Sequence, residues 1–196
     1  VLKQNQKILI QVKKDSDNKK GARVSTHISL PGRYIVLMPN IEFITISQKI
    51  ENKERKDELI KLIKNNIPEN FGAIIRTSAI NANENEIKKD IKNLLEKWKK
   101  IETKYNSNID KPTLIYESEN IAEKMIIDIG IENIDKITTN SKEEFEKLSK
   151  TNKTEKIVYK ENKNLIEEYG IETQIQKIEN RKIWLNCGGF ITIDKT

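Results

Sequence analysis

Apolar and polar residues alternate along two stretches near the amino end of the chain, residues 7–12 and 22–30. Alternation with a period of two is typical of strands that bury one face. Residues 13–21 between them are polar turn formers, so the pattern predicts a β-hairpin. The second strand is expected to carry Arg23, Ser25, His27 and Ser29 on one polar face.

Residues 31–112 contain short apolar runs and segments whose apolar residues recur at helical spacing. The last of these segments is long and amphipathic. An asparagine followed three residues later by a glutamate, Asn83 and Glu86, predicts a capping box at the start of the long helix. The predicted strands are 34–38, 43–47 and 73–75, and the predicted helices are 55–65 and 87–101.

From residue 113 onward, strand-like and helix-like segments alternate, which is the pattern of an α/β unit. Ser141 and Glu144 predict a second capping box. Trp98 and Trp184 lie within apolar periodicities and are expected in the core. The predicted strands are 114–116, 136–139, 157–159, 182–185 and 190–193, and the predicted helices are 121–129, one beginning near 141, and 165–178 with a break at Gly170. The last two strands are expected to pair as a hairpin.

The composition of the chain favours some classes of function and excludes others. A net charge of +6 favours encounter with polyanions such as nucleic acid. Cys187 and His27 are the only cysteine and histidine in the sequence, so a disulfide, a cysteine-cluster zinc site and a Ser-His-Asp triad are not expected. No apolar run approaches the length of a membrane span. The sequence predicts a soluble, cytoplasmic protein that does not engage a membrane.

Arg76 and Thr77 follow the predicted strand 73–75, where side chains pass from a sheet edge into a loop. A guanidinium can hold a phosphate through two parallel hydrogen bonds, and a neighbouring hydroxyl can add a third donor. Pro31-Gly32 predicts a turn before strand 34–38, with Pro fixing one backbone angle and Gly permitting a positive φ. No set of carboxylates is predicted to converge on a metal ion, so no catalytic residue is assigned.

Three segments in order resemble one family. The run from Lys20 to Pro39, the pair Ile46-Ser47 and the segment Gly72-Ala73-Ile74-Ile75-Arg76-Thr77 are similar to the bacterial ribonuclease E/G endoribonucleases. The resemblance implies a mixed α+β and α/β fold in four parts. These are the end of an S1-type oligonucleotide-binding barrel (1–30), a 5′-sensor region (31–111), an RNase H-like α/β region (112–180) and the first strands of a DNase I-like region (181–196).

The resemblance also implies roles for individual residues. Arg76, Thr77, Gly32 and Val36 match the positions that bind the 5′-monophosphate of RNA. Lys20 matches a lysine that contacts RNA in the S1-type part. Gln48, followed by Lys49, stands where the family commonly has an arginine, and both are candidate RNA contacts. Arg23 and His27 are further candidates because they share the polar face of the second strand.

Strand-like runs at both ends of the sequence lead us to expect that it is a piece of a longer protein. That protein would be a Mg²⁺-dependent endoribonuclease, a homo-oligomer acting on single-stranded RNA with a 5′-monophosphate. Residues 1–196 are expected to hold the end-recognition apparatus, with no cofactor bound and no cleavage activity of their own. A stand-alone noncatalytic RNA-binding module and an α/β scaffold with no nucleic-acid role are the alternatives.

Overall fold

A computed structural model describes residues 3–17, 19–107, 111–152 and 154–194. The chain forms two compact units, one ending at Gly130 and the other beginning at Ile131. Both contain helices and strands, so the expected mixed α and β class is confirmed. None of the helices in the described ranges is long and apolar enough to span a bilayer.

A four-stranded mixed sheet is the centre of the first unit. The strands are β3 (Leu30–Pro31), β4 (Ile35–Pro39), β5 (Ile44–Ile46) and β6 (Phe71–Ile75). Their spatial order is β3-β4-β6-β5, with β5 and β6 parallel and the other neighbours antiparallel. A helix, α1 (Lys53–Lys64), connects β5 to β6 and makes the parallel pairing possible.

Helices α1 (Lys53–Lys64) and α2 (Glu84–Tyr105) pack on one face of this sheet. The predicted capping box of α2 is confirmed, because the Asn83 side chain accepts from the Glu86 N–H and the Glu86 carboxylate accepts from the Asn83 N–H. The buried residues of the two helices and of the strands beneath them form one apolar core. It includes Ile35, Leu37, Leu59, Ile63, Ala73, Ile75, Ile87, Ile91, Leu94 and Trp98.

The amino-terminal hairpin consists of β1 (Gln11–Lys14) and β2 (Arg23–Ser25), paired antiparallel. The hairpin confirms the predicted pairing, but its first strand covers residues 11–14 and not the expected 7–12. The expected strand over 22–30 is interrupted by a bend before Leu30 starts β3. The described chain of the first unit ends in α3 (Ile121–Ile129), which has a capping box between Asn120 and Glu123.

The second unit contains a βαβ motif and a terminal hairpin. Strands β7 (Ile137–Thr139) and β8 (Ile157–Tyr159) are parallel and joined through α4 (Lys142–Asn152), which confirms an α/β unit. Helices α5 (Leu165–Glu168) and α6 (Ile171–Glu179) meet at Gly170, whose φ of 63° makes the predicted break. The hairpin consists of β9 (Lys182–Trp184) and β10 (Phe190–Thr192).

Two expectations about these elements are wrong. Residues 114–116 are not a strand: Ile115 packs on the core, and the Leu114 carbonyl accepts from Lys104 Nζ of α2 at 2.8 Å. The Lys104 side chain thus donates the hydrogen bond that the Leu114 carbonyl would accept from a neighbouring strand in a sheet. Trp184 is 68% exposed, whereas Trp98 is buried. The Trp184 ring makes an edge contact with the Phe190 ring of its own hairpin, and this contact leaves most of the Trp184 side chain uncovered.

Candidate anion-binding site

The turn between β3 and β4 is held by one carboxylate from α2. The Asp90 side chain accepts three backbone N–H groups of this turn, those of Arg33 at 3.2 Å, Tyr34 at 2.8 Å and Ile35 at 3.3 Å. A charged acceptor binds backbone donors more strongly than a neutral one does. Asp90 therefore fixes the backbone of the turn onto the first half of α2.

Gly32 occupies this turn because no side chain fits there. A Cβ at Gly32 would lie 2.6 and 2.7 Å from the two Asp90 carboxylate oxygens and 2.8 Å from Leu94 Cδ1. The prediction that Gly32 supplies a positive φ is wrong, since the glycines with positive φ in the described ranges are at 130, 170 and 188. Gly32 is needed for close approach, not for backbone conformation.

Arg76 extends from the end of β6 to the same turn. Its N–H donates to the Tyr34 carbonyl at 2.9 Å, which continues the β4–β6 ladder by one residue. Its Nη1 donates to the Gly32 carbonyl at 2.6 Å and to Asp128 Oδ1 of α3 at 2.6 Å. The Arg76 side chain is about one-third exposed. Its guanidinium therefore contacts the Asp128 carboxylate at the protein surface while the Gly32 carbonyl anchors it to the turn.

The loop after Arg76 is tied to both the turn and α1. The Ser78 hydroxyl donates to the Arg33 carbonyl at 2.5 Å. Arg55 of α1 donates to the carbonyls of Ile80 at 3.0 Å and Ala82 at 2.7 Å. Thr77 is exposed between Arg76 and Ser78, just before these two attachments.

Val36 and Gln48 are placed by the sheet. Val36 is half-buried in the middle of β4, opposite Pro31 on β3 and Ile74 on β6. Gln48 and its neighbour Lys49 are exposed just beyond β5. Because β5 and β6 are parallel, with the Ser47 N–H donating to the Ile75 carbonyl at 3.0 Å, Gln48 and Arg76 leave the sheet at the same end.

The remaining candidate RNA contacts belong to the amino-terminal hairpin. Lys20 lies in the loop joining β1 to β2, where its N–H donates to Asp17 Oδ1 at 2.8 Å. Arg23 is exposed on β2, opposite Lys14. His27 is exposed in the bend after β2, and its N–H donates to Ser25 Oγ at 3.1 Å. The structure thus places these three side chains on the hairpin and Arg76, Thr77 and Gly32 at the turn.

Burial raises the pKa of Asp90 above its ordinary value, although the three backbone N–H groups and the Arg76 charge act in the opposite direction. A folded-state pKa above the unfolded one means that the folded protein binds more protons between the two values. The contribution of Asp90 to stability is therefore complete below the unfolded pKa and falls as the pH rises through the folded one.

This pKa shift predicts the pH dependence of an Asp90→Asn variant. The stability of the wild type should fall relative to that of the variant as the pH rises above 3.8, the ordinary pKa of the carboxyl, since the two proteins differ only in the Asp90 carboxyl that titrates there. Urea unfolding of both proteins at about pH 4 and about pH 7 measures this difference. A constant difference between the two proteins would contradict the raised pKa.

Three residues of the site were not predicted. Asp90 carries a usable signal, since it lies three residues after Ile87 and four before Leu94, which puts a carboxylate on the apolar stripe of α2. Asp128 is an acid in the last turn of α3, where the helix dipole favours bases. Ser78 has no sequence signal beyond its position after Arg76-Thr77.

Among the described residues, no group of three or more His, Cys, Asp or Glu side chains could hold a metal ion. Mg²⁺ needs oxygen ligands that converge in nearly octahedral geometry. The described residues therefore do not fit a Mg²⁺ site, and the charged donor at the turn is the Arg76 guanidinium.

The turn at Gly32, Arg76 and the strands that carry them fall within residues 29–196, which match the model of the ribonuclease E/G family. The match covers most of the sequence, and the chain belongs to the ribonuclease E/G family. Among curated relatives, ribonuclease G of Salmonella typhimurium is 30% identical over 208 residues, covering 100% of this chain and 41% of the relative. Ribonuclease E of Haemophilus influenzae is 32% identical over 204 residues, covering 100% of this chain and 22% of the relative.

A third relative, the ribonuclease E/G-like protein of Pyropia yezoensis, is 32% identical over 204 residues, covering 99% of this chain and 40% of the relative. The chain thus spans less than half the length of these curated relatives. The family resemblance stated from the sequence is confirmed.

Proposed function

We propose that Arg76 and Thr77, together with Gly32 of the turn between β3 and β4 and Val36 of β4, bind the 5′-monophosphate of single-stranded RNA. Arg76 would supply the charged donors, Thr77 a hydroxyl donor, and the turn a rigid support. A monophosphate suits this arrangement because its oxygens are strong acceptors and a guanidinium can meet two of them at once.

The observation that carries the proposal is the contact between Arg76 Nη1 and Asp128 Oδ1 at 2.6 Å. It is a charge-assisted hydrogen bond to an acidic oxygen at a partly exposed guanidinium. Arg76 is also anchored on its protein side by the Gly32 carbonyl. A guanidinium fixed in this way loses little side-chain freedom when an anion binds, which favours binding.

The amino-terminal hairpin is the proposed site for the RNA backbone, through Lys20, Arg23 and His27, as part of an S1-type fold. Gln48 and Lys49 would contact the first nucleotides, because they leave the sheet at the same end as Arg76. Basic side chains that contact phosphates add affinity without reading sequence. Residues 112–180 are proposed to be an RNase H-like scaffold, which the βαβ motif of β7, α4 and β8 supports, and residues 181–196 to be the first strands of a DNase I-like region.

We also propose that RNA hydrolysis with Mg²⁺ belongs to a longer, homo-oligomeric cytoplasmic protein of which residues 1–196 supply the recognition of the RNA end. Two observations support this division of roles. The curated relatives are more than twice as long as the chain, and the described residues do not fit a Mg²⁺ site. Cleavage of RNA by residues 1–196 with Mg²⁺ would contradict it.

The experiment is to measure the binding of three single-stranded RNAs that share one sequence and differ at the 5′ end. The 5′-monophosphate RNA should bind about tenfold more tightly than the 5′-hydroxyl RNA, the effect of one or two charge-assisted hydrogen bonds. It should also bind more tightly than the 5′-triphosphate RNA, whose terminal phosphate lies farther from the first nucleotide.

The same measurement separates the alternatives. A scaffold without a nucleic-acid role predicts equal and weak binding of all three RNAs. Equal but strong binding would indicate a general RNA-binding module and would contradict 5′-end recognition. A stand-alone module that recognises the end predicts the monophosphate preference without cleavage in the natural full-length protein.

A further inference from the structure

We infer that Asp128 is an internal competitor for the 5′-phosphate: its carboxylate holds the Arg76 guanidinium in the free protein and must leave when phosphate binds. This inference rests on the proposed function. It makes Asp128, at the end of α3, a specificity residue: only an RNA end with enough negative charge can displace its carboxylate.

The hydrogen-bond geometry makes the two anions exclusive at one edge of the guanidinium. Nη1 carries two hydrogens, and the structure directs them to the Gly32 carbonyl and to Asp128 Oδ1, each at 2.6 Å. A phosphate that takes the paired edge of Nη1 and Nη2 therefore needs one of these two acceptors to give way, and the exposed Asp128 carboxylate is the one that can move. A phosphate at the other edge would still be repelled by the nearby Asp128 charge.

The surroundings of Asp128 allow it to leave. Its side chain is 51% exposed, so water can solvate the released carboxylate. An exposed ion pair of this kind is weak. Its place in the last turn of α3 is unfavourable to the helix, because the helix dipole repels an acid there. Releasing the carboxylate from Arg76 therefore gives up one weak, exposed ion pair.

Helix α3 keeps another attachment when Asp128 moves. Arg33 Nη2 donates to the Ile129 carbonyl at 3.1 Å, and the Arg33 guanidinium lies over the Tyr34 ring, 5.0 Å from its centroid. Arg33 is part of the turn that Asp90 fixes. The end of α3 therefore stays beside the turn, and the Asp128 carboxylate can return after the phosphate dissociates.

A competing carboxylate changes specificity as well as affinity. A 5′-hydroxyl end has no charge with which to displace Asp128, whereas a 5′-monophosphate carries more negative charge than the carboxylate. Removing the carboxylate should therefore strengthen binding of the phosphorylated end alone. A charge removed elsewhere should change the binding of both ends by the same small factor.

The test compares Asp128→Asn with Asp57→Asn, a control that removes an exposed carboxylate from α1 of the same unit. Asp128→Asn should bind 5′-monophosphate RNA about fivefold more tightly than the wild type, the effect expected when a weak exposed ion pair no longer competes. Its affinity for 5′-hydroxyl RNA should match that of Asp57→Asn.

Two results would overturn the inference and leave the proposed function in place. One is a wild-type monophosphate preference that depends on Arg76 but is unchanged by Asp128→Asn. The other is weaker monophosphate binding in Asp128→Asn, which would make Asp128 a positioning residue for Arg76. Loss of the wild-type preference itself would instead overturn the proposed function.

A measurement on the wild type keeps the inference testable should the variant not fold. In protein labelled with ¹³C at aspartate carboxyls, the Asp128 Cγ resonance should move when 5′-monophosphate RNA is added and stay in place with 5′-hydroxyl RNA. A resonance that does not move with saturating 5′-monophosphate RNA would overturn the displacement.

Discussion

Replacing Asp90 by alanine is expected to lower the free energy of unfolding of the first unit by about 3 kcal/mol, since three backbone donors lose a charged acceptor. The N–H groups of Arg33, Tyr34 and Ile35 would then face the cavity left by the side chain. Because the turn carries the Gly32 carbonyl that anchors Arg76, phosphate binding should weaken too.

Urea unfolding followed by Trp98 fluorescence measures this change. Trp98 is 8% exposed in the core of the first unit, and a Trp184→Phe background removes the signal of the second unit. Asp57→Ala, an exposed aspartate on α1, is the matched control and should change stability by less than about 0.5 kcal/mol. An Asp90→Ala protein as stable as this control would show that Asp90 does not hold the turn.

Gly72→Ala should destabilise the first unit by about 3 kcal/mol or more, because overpacking here forces backbone to move. A Cβ at Gly72 would lie 2.3 Å from the carbonyl oxygens of Ile41 and of Phe43. Those carbonyls belong to the segment that leads into β5, so the new methyl group would separate β5 from β6. Arg76, at the end of β6, would lose its fixed position.

The control for Gly72→Ala is Gly21→Ala, since a Cβ at Gly21 would meet nothing within 4 Å. Both variants add one methyl group to the same unit, and they differ in the space available. The same unfolding experiment should give a wild-type midpoint for Gly21→Ala and a much lower one for Gly72→Ala. Equal midpoints would contradict the close approach of β5 and β6.

Local patterns predicted the long helices well. The apolar spacing of α2 fixed which side chains are buried, and its capping asparagine fixed where the helix starts. The break at Gly170 and the last hairpin were also predicted, because a glycine or a turn sequence determines the backbone conformation of the residues next to it.

Features that depend on distant partners were not predicted. Residues 114–116 look like a strand, but Lys104, ten positions before Leu114, meets the backbone instead. The alternation around Trp184 predicted burial, which requires a covering element that a pattern of neighbours cannot supply.

In the candidate site, too, the residues of a local motif were predicted and those that contact it from distant positions were not. Arg76, Thr77 and Gly32 were predicted together from their resemblance to a family motif, and the structure brings Arg76 into contact with Gly32. Asp90 lies 57 positions from Arg33, and Asp128 lies 52 positions from Arg76. Contacts across such separations follow from the packing of α2 against the sheet and from the position of the end of α3 beside the turn, which periodicity does not encode.

The most direct test of 5′-phosphate recognition is a double cycle in which Arg76 is changed to glutamine and the phosphate is removed from the RNA. Comparing the four affinities isolates the interaction between the guanidinium and the phosphate from their separate effects. Arg181→Gln, which removes an exposed arginine from the second unit, is the matched control.

In the wild type and in Arg181→Gln, the 5′-monophosphate should improve binding about tenfold, and in Arg76→Gln it should improve binding less than about twofold. The difference corresponds to a coupling of about 1 kcal/mol. If Arg76→Gln keeps the full preference for the 5′-monophosphate, the turn at Gly32 and Arg76 does not recognise the RNA end.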